Sequence, residues 1–345
     1  MKSESTTIKD IARFLNISAS TVSRALNNHH EVSYKTRQAV LKAAKKLNYQ
    51  PNALAIGLVK NRTNTLGVLM PDITQPFYSS AISGIEYVAV ERGYYVIICQ
   101  SDESYQKEMS LVDMLNTHRI DGLIICPATT TDRYRHLREI SRTTPLVQFD
   151  RIVDKIDSHK VVSNDYQGAY EAVTHLIQCG YQRIAHIAGP KQLSISKNRK
   201  RGYLKALKDA AQPIKKQYIC ICTLDKEHMR WCTEKLLDLP KPPDAIFAVN
   251  DPTALEVMYV AKQRKLAIPE DIAIAGFDDQ SLTSYLDPAL TTVSQPSFTM
   301  GKTAAELLIA QIESGNTTEI SFQKKIFSTS LVIRDSSQRK PETND

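Results

Sequence analysis

From Thr65 onward, short apolar runs alternate with amphipathic stretches, and this rhythm limits the possible folds more than any other feature of the chain. LGVLMPDI, YYVIICQSD, DGLIICPAT and PLVQFDR read as the first strands, and KVVSND, RIAHIAGP, YICICT, AIFAVND and IAIAGFDD as the later ones. Helical stretches such as SAISGIEYVAVERG and GYLKALKDAAQ lie between most of them. Such alternation predicts parallel sheets with helices on both faces, where ligands sit beyond the carboxyl ends of the strands. Many of the runs end in Asp, Asn or Ser, which puts polar groups at that edge. About 270 residues is too many for one such sheet, so two similar lobes with a cleft between them are expected over 65–335. The polar stretch from 336 to 345 reads as a disordered tail.

The first 62 residues are different in kind. They hold 11 Lys/Arg against 3 Asp/Glu, a net of +8, whereas the rest of the chain holds 33 against 34, a net of −1. Basic charge confined to one end suits a segment that meets a polyanion. Ile8, Ile11, Ala12 and Leu15 recur at helical spacing behind Thr7 as N-cap. Asn16-Ile17-Ser18 breaks that helix, and Ser18 caps a second one over 19–26. A third has Ser33 as its cap and Val40, Ala43, Ala44 and Leu47 as its apolar face, and Pro51 ends it. This predicts an all-α helix-turn-helix domain over 1–50, whose second helix enters the major groove. With Val22, Ala25 and Leu26 turned inward, Ala19, Ser20, Ser23 and Arg24 remain for DNA, and Arg24 can make a bidentate contact to guanine. Thr21, Ser23, Asn27 and Ser33 suit phosphates. The competing reading is a three-helix module for protein contacts.

Other classes fall away. The amino terminus has no apolar signal-like stretch and no run is long enough to span a membrane, so a cytoplasmic location without membrane partners is expected. The six cysteines, mostly in strand-like runs, read as buried, reduced thiols, and no second pair completes a zinc set. Gly301-Lys302-Thr303 lacks the strand and first glycine of a phosphate loop and reads as a helix start. Trp231 is expected to pack a helix together with Leu236 and Leu237. No catalytic or cofactor-binding motif occurs, so neither an enzyme nor a cofactor is expected.

TTIKDIARFLNISASTVSRALN, VSYKTRQAVLKAAKKLNYQPNALAIGL and TLGVLMPDITQPFYSSAISGIE together resemble the lactose/galactose repressor (LacI/GalR) family of bacterial regulators. The similarity continues through RIAHIAGP, AVNDPTALEV and IPEDIAIAGFDD to LTTVSQPSFTMGKTAAELL, nearly the whole chain in order. It implies a homodimeric repressor on a near-palindromic operator, with a core similar to periplasmic sugar-binding proteins. Lobe 1 is expected at about 65–163 and 294–322, and lobe 2 at about 164–293 and 323–335. Residues 51–64 become a hinge helix and linker in which Leu58 wedges into the minor groove, and Thr7 and Asn52 join the DNA-facing set. Asp150, Arg199, Asn250 and Asp278 match the family's effector pocket, and Phe77 and Tyr78 supply an apolar wall. The implied effector is a sugar or sugar derivative. Leu224 stands where many members stack an aromatic ring, and Leu193 and Ile195 follow Gly189-Pro190, a less polar lining than a simple hexose needs. Ile56-Gly57 is less polar than the family pattern. The alternative is a small-molecule-binding protein of the same two-lobed type without a gene-regulatory role.

Overall fold

The computed structural model describes residues 6–49, 62–315 and 321–338. The chain divides into two compact units, Met1–Thr63 and Asn64–Asp345. In the first, α1 (Ile8–Leu15), α2 (Ala19–Leu26) and α3 (Tyr34–Lys46) enclose a small core of Ile11, Ala12, Val22, Ala25, Val40 and Ala43. The caps are those the sequence predicts. The Asp10 carboxylate accepts from both the N–H and the hydroxyl of Thr7, at 2.9 and 2.6 Å. Ser18 Oγ accepts from the Thr21 N–H and Ser33 Oγ from the Thr36 N–H, each satisfying a donor that a helix start leaves orphaned. Asn16, in the left-handed region at φ 53°, ends α1 and sets up the turn into α2. Asn52 and Leu58 lie outside the described residues, and so does the proposed hinge from 51 to 58.

The second unit has two sheets. The first lobe is built on β1 (Thr65–Met70), β2 (Tyr95–Gln100), β3 (Gly122–Ile125), β4 (Leu146–Phe149), β5 (His159–Ser163) and β11 (Lys324–Phe327), in the order β11-β5-β4-β3-β1-β2, all parallel. Helices α4 (Pro76–Glu91) and α11 (Ser297–Ser314) cover one face, and α5 (Tyr105–Thr117) and α6 (Arg135–Ile140) the other. The second lobe's parallel sheet runs β7 (Ile219–Ile221), β6 (Ile184–Ala188), β8 (Ala245–Ala248), β9 (Ala273–Ala275). It lies between α7 (Asp165–Gln178) with α8 (Ser194–Asp209) and α9 (Lys226–Leu237) with α10 (Asp251–Gln263). A separate antiparallel pair, β10 (Thr292–Ser294) with β12 (Ser330–Val332), lies beside β9. The chain thus passes between lobes at 163–165, 294–297 and 327–330. Gly301 is a packing residue of α11: a Cβ there would meet the Ala81 carbonyl oxygen of α4 at 2.0 Å. This close helix crossing explains the glycine without any phosphate loop.

Three expectations are corrected. Residues 323–335 do not all belong to the second lobe, because Lys324–Phe327 pairs in parallel with His159–Ser163 and closes one edge of the first sheet. The tail does not begin at 336. Ser336 and Ser337 are fully buried, the Ser336 N–H donating to the Ala289 carbonyl and its own carbonyl accepting from Ile274, both at 2.9 Å. Trp231 is half exposed, since the inward stripe of α9 runs through Met229, Cys232, Thr233 and Leu236 and leaves residue 231 outside it. No described helix is long and apolar enough to cross a membrane.

Candidate functional site

A cleft between the two lobes of the core encloses about 840 Å³, part of it open to solvent. Its polar corners come from strand ends and helix starts. Asp150 follows β4 with φ 60°, and it is buried where Tyr78 Oη donates to its Oδ2 at 3.2 Å. Phe77 fills the space behind, 5.9 Å from the Phe149 ring. On the opposite wall Arg199 of α8, 2% exposed, is fixed on every side. Its Nε donates to Asp165 Oδ1 at 2.8 Å and its Nη1 to the Val249 carbonyl at 2.6 Å, and Asp278 Oδ1 lies 3.8 Å away. Its guanidinium stacks on the Phe277 ring at 3.6 Å. Asn250 caps α10, its Oδ1 accepting from the N–H and hydroxyl of Thr253, so what it has left to offer a ligand is its amide N–H. Asp278 sits at φ 121° and accepts from Gln295 Nε2 at 2.8 Å.

All six core residues singled out in the sequence, Phe77, Tyr78, Asp150, Arg199, Asn250 and Asp278, therefore line one cleft. Ile195, Leu224 and Met229 complete its apolar side. Leu193 is buried close by, in a smaller pocket with Ser194 and Arg151. Sequence reasoning missed Gln75, Glu103, Arg151 and Gln295. Arg151 directly follows Asp150 but is taken up by Glu103, to which its two Nη atoms donate at 2.8 and 2.9 Å. Gln75 meets Gln280 across the cleft at 3.0 Å. With Gln192 Nε2 donating to the Thr129 carbonyl and the Ile152 N–H to Ser194 Oγ, this contact bridges the lobes.

Carboxylates outnumber cations here, and burial sets their chemistry. Burial first, then the charge of Asp165, pushes Asp150 up to about 6. Burial likewise raises Asp165 and Asp278, and Arg199 pulls each of them back. An unfolded Asp ionises near 3.9. Below that value both states hold the proton, and between about 4 and 6 the unfolded chain ionises first. The favourable contribution of burying neutral Asp150 is thus complete below pH 4, falls away as pH rises to about 6, and is worth up to about 3 kcal/mol. The melting temperature of the protein relative to Asp150→Asn should accordingly fall as pH rises from about 4 to about 6. A pH-independent difference would contradict this assignment.

In the first unit, α2 offers Ser20 and Arg24 to solvent, with Thr21 and Ser23 half-buried and Ala19 partly packed on the core. Thr7, Asn27 and Ser33 are exposed. The hydroxyls of Ser20 and Thr21 lie within 2.8 Å of Ser18 Oγ, and Asn27 Nδ2 donates to the Ser23 carbonyl. Arg24 Nη1 pairs with Glu31 at 3.1 Å, a partner across the loop that nothing local in the sequence announces. His29 and His30 lie in that loop between α2 and α3, their rings stacked at 4.6 Å.

Comparison with known proteins agrees with this architecture. The model described as "Bacterial regulatory proteins, lacI family" matches residues 7–52, and a periplasmic binding protein-like domain matches 173–337. The HTH-type transcriptional repressor CytR of Escherichia coli (strain K12) is 33% identical over 335 residues, 97% of each chain. The chain belongs to the lacI family. This lacI-family protein is a DNA-binding transcriptional regulator controlled by a small-molecule effector. Among solved structures, the Lac repressor dimer bound to operator and the anti-inducer ONPF matches with TM-score 0.82 and 25% identity, over 97% of this chain and 100% of that one. The regulator CelR in complex with cellobiose matches with TM-score 0.72 and 27% identity, over 96% and 99%.

Proposed function

We propose that this lacI-family regulator is a cytoplasmic, non-enzymatic homodimeric repressor of a near-palindromic operator, released or engaged by a neutral sugar or sugar derivative held between its lobes. The observation that carries the effector assignment is the fixed Arg199 guanidinium between Asp165 and Asp278, facing Asp150 across the cleft. Carboxylates at both walls accept from hydroxyls, while Arg199 and Asn250 donate, a pattern that suits a polyhydroxyl ring. The cellobiose bound to CelR supports the same class, and Leu224, Ile195 and Met229 favour a ligand with an apolar side. Dimerisation is supported by the Lac repressor dimer and by the edge strand β2, which exposes Tyr95, Ile97 and Ile98 near Tyr87 and Val90 of α4. In the first unit, Ser20, Ser23 and Arg24 read bases, Ala19 allows close approach, and Thr7, Thr21, Asn27 and Ser33 hold phosphates. Asn52 and Leu58 serve the hinge.

Effector control requires the ligand to favour one arrangement of the lobes over the other. Selection from random duplexes with the full-length chain should return two inverted half-sites. Ribose and cellobiose, titrated at fixed salt against the selected operator, should change its affinity in the protein but not in Asp278→Asn. A single half-site would overturn the dimer, and an equal response in Asp278→Asn would overturn the cleft as effector site.

A further inference from the structure

Three of the six thiols gather outside the machinery described so far. Cys220 and Cys222 alternate with Ile221 at the end of β7, so they share one side of the strand, the side that α9 covers. Cys232 of α9 faces them. Its sulfur lies 2.7 Å from that of Cys220, and it interacts with Cys222 as well. A disulfide needs about 2.05 Å between sulfurs, so the two atoms are already within a small side-chain adjustment of bonding. We propose that Cys220 and Cys232 are a modification site, a dithiol oxidised reversibly to a disulfide by hydroperoxides, with Cys222 as the third thiol that exchanges into the bond.

The environment assigns the order of events. The hydrogen bond with Cys232 and the charge of Lys235 lower the pKa of Cys220, while Cys232 holds its proton more tightly. Cys220 retains a little solvent exposure, and Cys222 and Cys232 have none. Cys220 is therefore the attacking thiolate, since the thiolate is the nucleophile and accessibility selects among thiols. It attacks a peroxide oxygen, the O–O bond breaks, and the other oxygen leaves as water or an alcohol after taking up a proton. The Cys232 sulfur then attacks the sulfenic sulfur. The S–S bond forms, the S–O bond breaks, and the hydroxyl leaves as water with the Cys232 proton. Two electrons pass from the thiols to the peroxide, and exchange with two equivalents of an external thiol, through a mixed disulfide, returns the pair to its starting state and releases the external thiol as its own disulfide.

The site shares a wall with the effector cleft. Leu224 donates its N–H to Cys222 Sγ at 3.3 Å, and both Leu224 and Met229 line the cleft, the latter three residues before Cys232. A covalent tie between β7 and α9 fixes the spacing of these two side chains.

The test treats the full-length chain with one equivalent of hydrogen peroxide, then alkylates and maps peptides without reduction. A peptide linking Cys232 to Cys220, or to Cys222 after exchange, is expected, and dithiothreitol should remove it. The emission of Trp231, the single tryptophan of the chain and the neighbour of Cys232, should change and recover in step. Both responses should be lost in Cys232→Ser. Should that variant fail to fold by circular dichroism, Cys220→Ser serves instead, and it should lose the rapid phase of peroxide consumption. Cys179 is the least buried of the six thiols. Oxidation of Cys179 without a linked peptide, or unchanged responses in the variant that folds, would overturn the proposal.

Discussion

Arg199→Met is expected to abolish the effector response and to lower the stability of the core by about 3–5 kcal/mol, the cost of leaving buried charges unpaired. Among the described residues Arg199 is the cation paired with Asp165, and it also faces Asp278 and Asp150. Methionine fills much of the same space over Phe277 but leaves these carboxyls without their counter-charge. They must then take up protons, so the loss should be largest near neutral pH and shrink as pH falls towards 5. Thermal unfolding of the full-length protein and variant across that range measures this directly. A variant as stable as the parent at neutral pH would show that Arg199 does not hold the two acidic walls together. DNA binding by the headpiece, a separate compact unit, should persist, which separates loss of sensing from loss of folding.

Arg24→Ala is expected to weaken operator binding by about 1–3 kcal/mol, with little change on random DNA at the same salt. The basis is the position of Arg24 on the exposed face of α2, where its contact with Glu31 occupies one Nη and leaves the rest of the fork available. The ion pair is more than half exposed, and surface pairs of this kind contribute at most about 1 kcal/mol. Headpiece stability should hardly change. Anisotropy titrations on the selected operator and on a scrambled duplex distinguish base reading from phosphate contact. Equal losses on both would place Arg24 against the backbone instead.

Local chemistry made much of this protein legible. Thr7, Ser18 and Ser33 were readable as caps because capping depends on residues three positions apart, and the apolar runs were readable as strands because both faces of each sheet are covered. Asp150, Asn250 and Asp278 stood out because polar residues ending apolar runs lie at one edge of a parallel sheet. What escaped the sequence depends on partners far away in the chain. KKIF and SLV lie two residues apart, and nothing in either says that one joins β5 and the other β10. Ser336 and Ser337 look like tail, but they are buried because Thr291, Arg334 and Ile274 satisfy their polar atoms. Arg151 lies at the cleft beside Asp150, yet its pairing with Glu103 is invisible without the fold.

The three passages of the chain between lobes also set an order of completion during synthesis. The headpiece is whole once α3 has emerged, and domains generally fold as they leave the ribosome. The first lobe must wait for α11 and β11, which follow the whole four-stranded sheet of the second lobe, and the second lobe itself waits for β12. A message cut anywhere between codons 64 and 296 therefore yields the DNA-reading helices attached to a sensor that has no complete half. The ability of this regulator to answer an effector therefore arrives last in synthesis, long after the helices that read DNA.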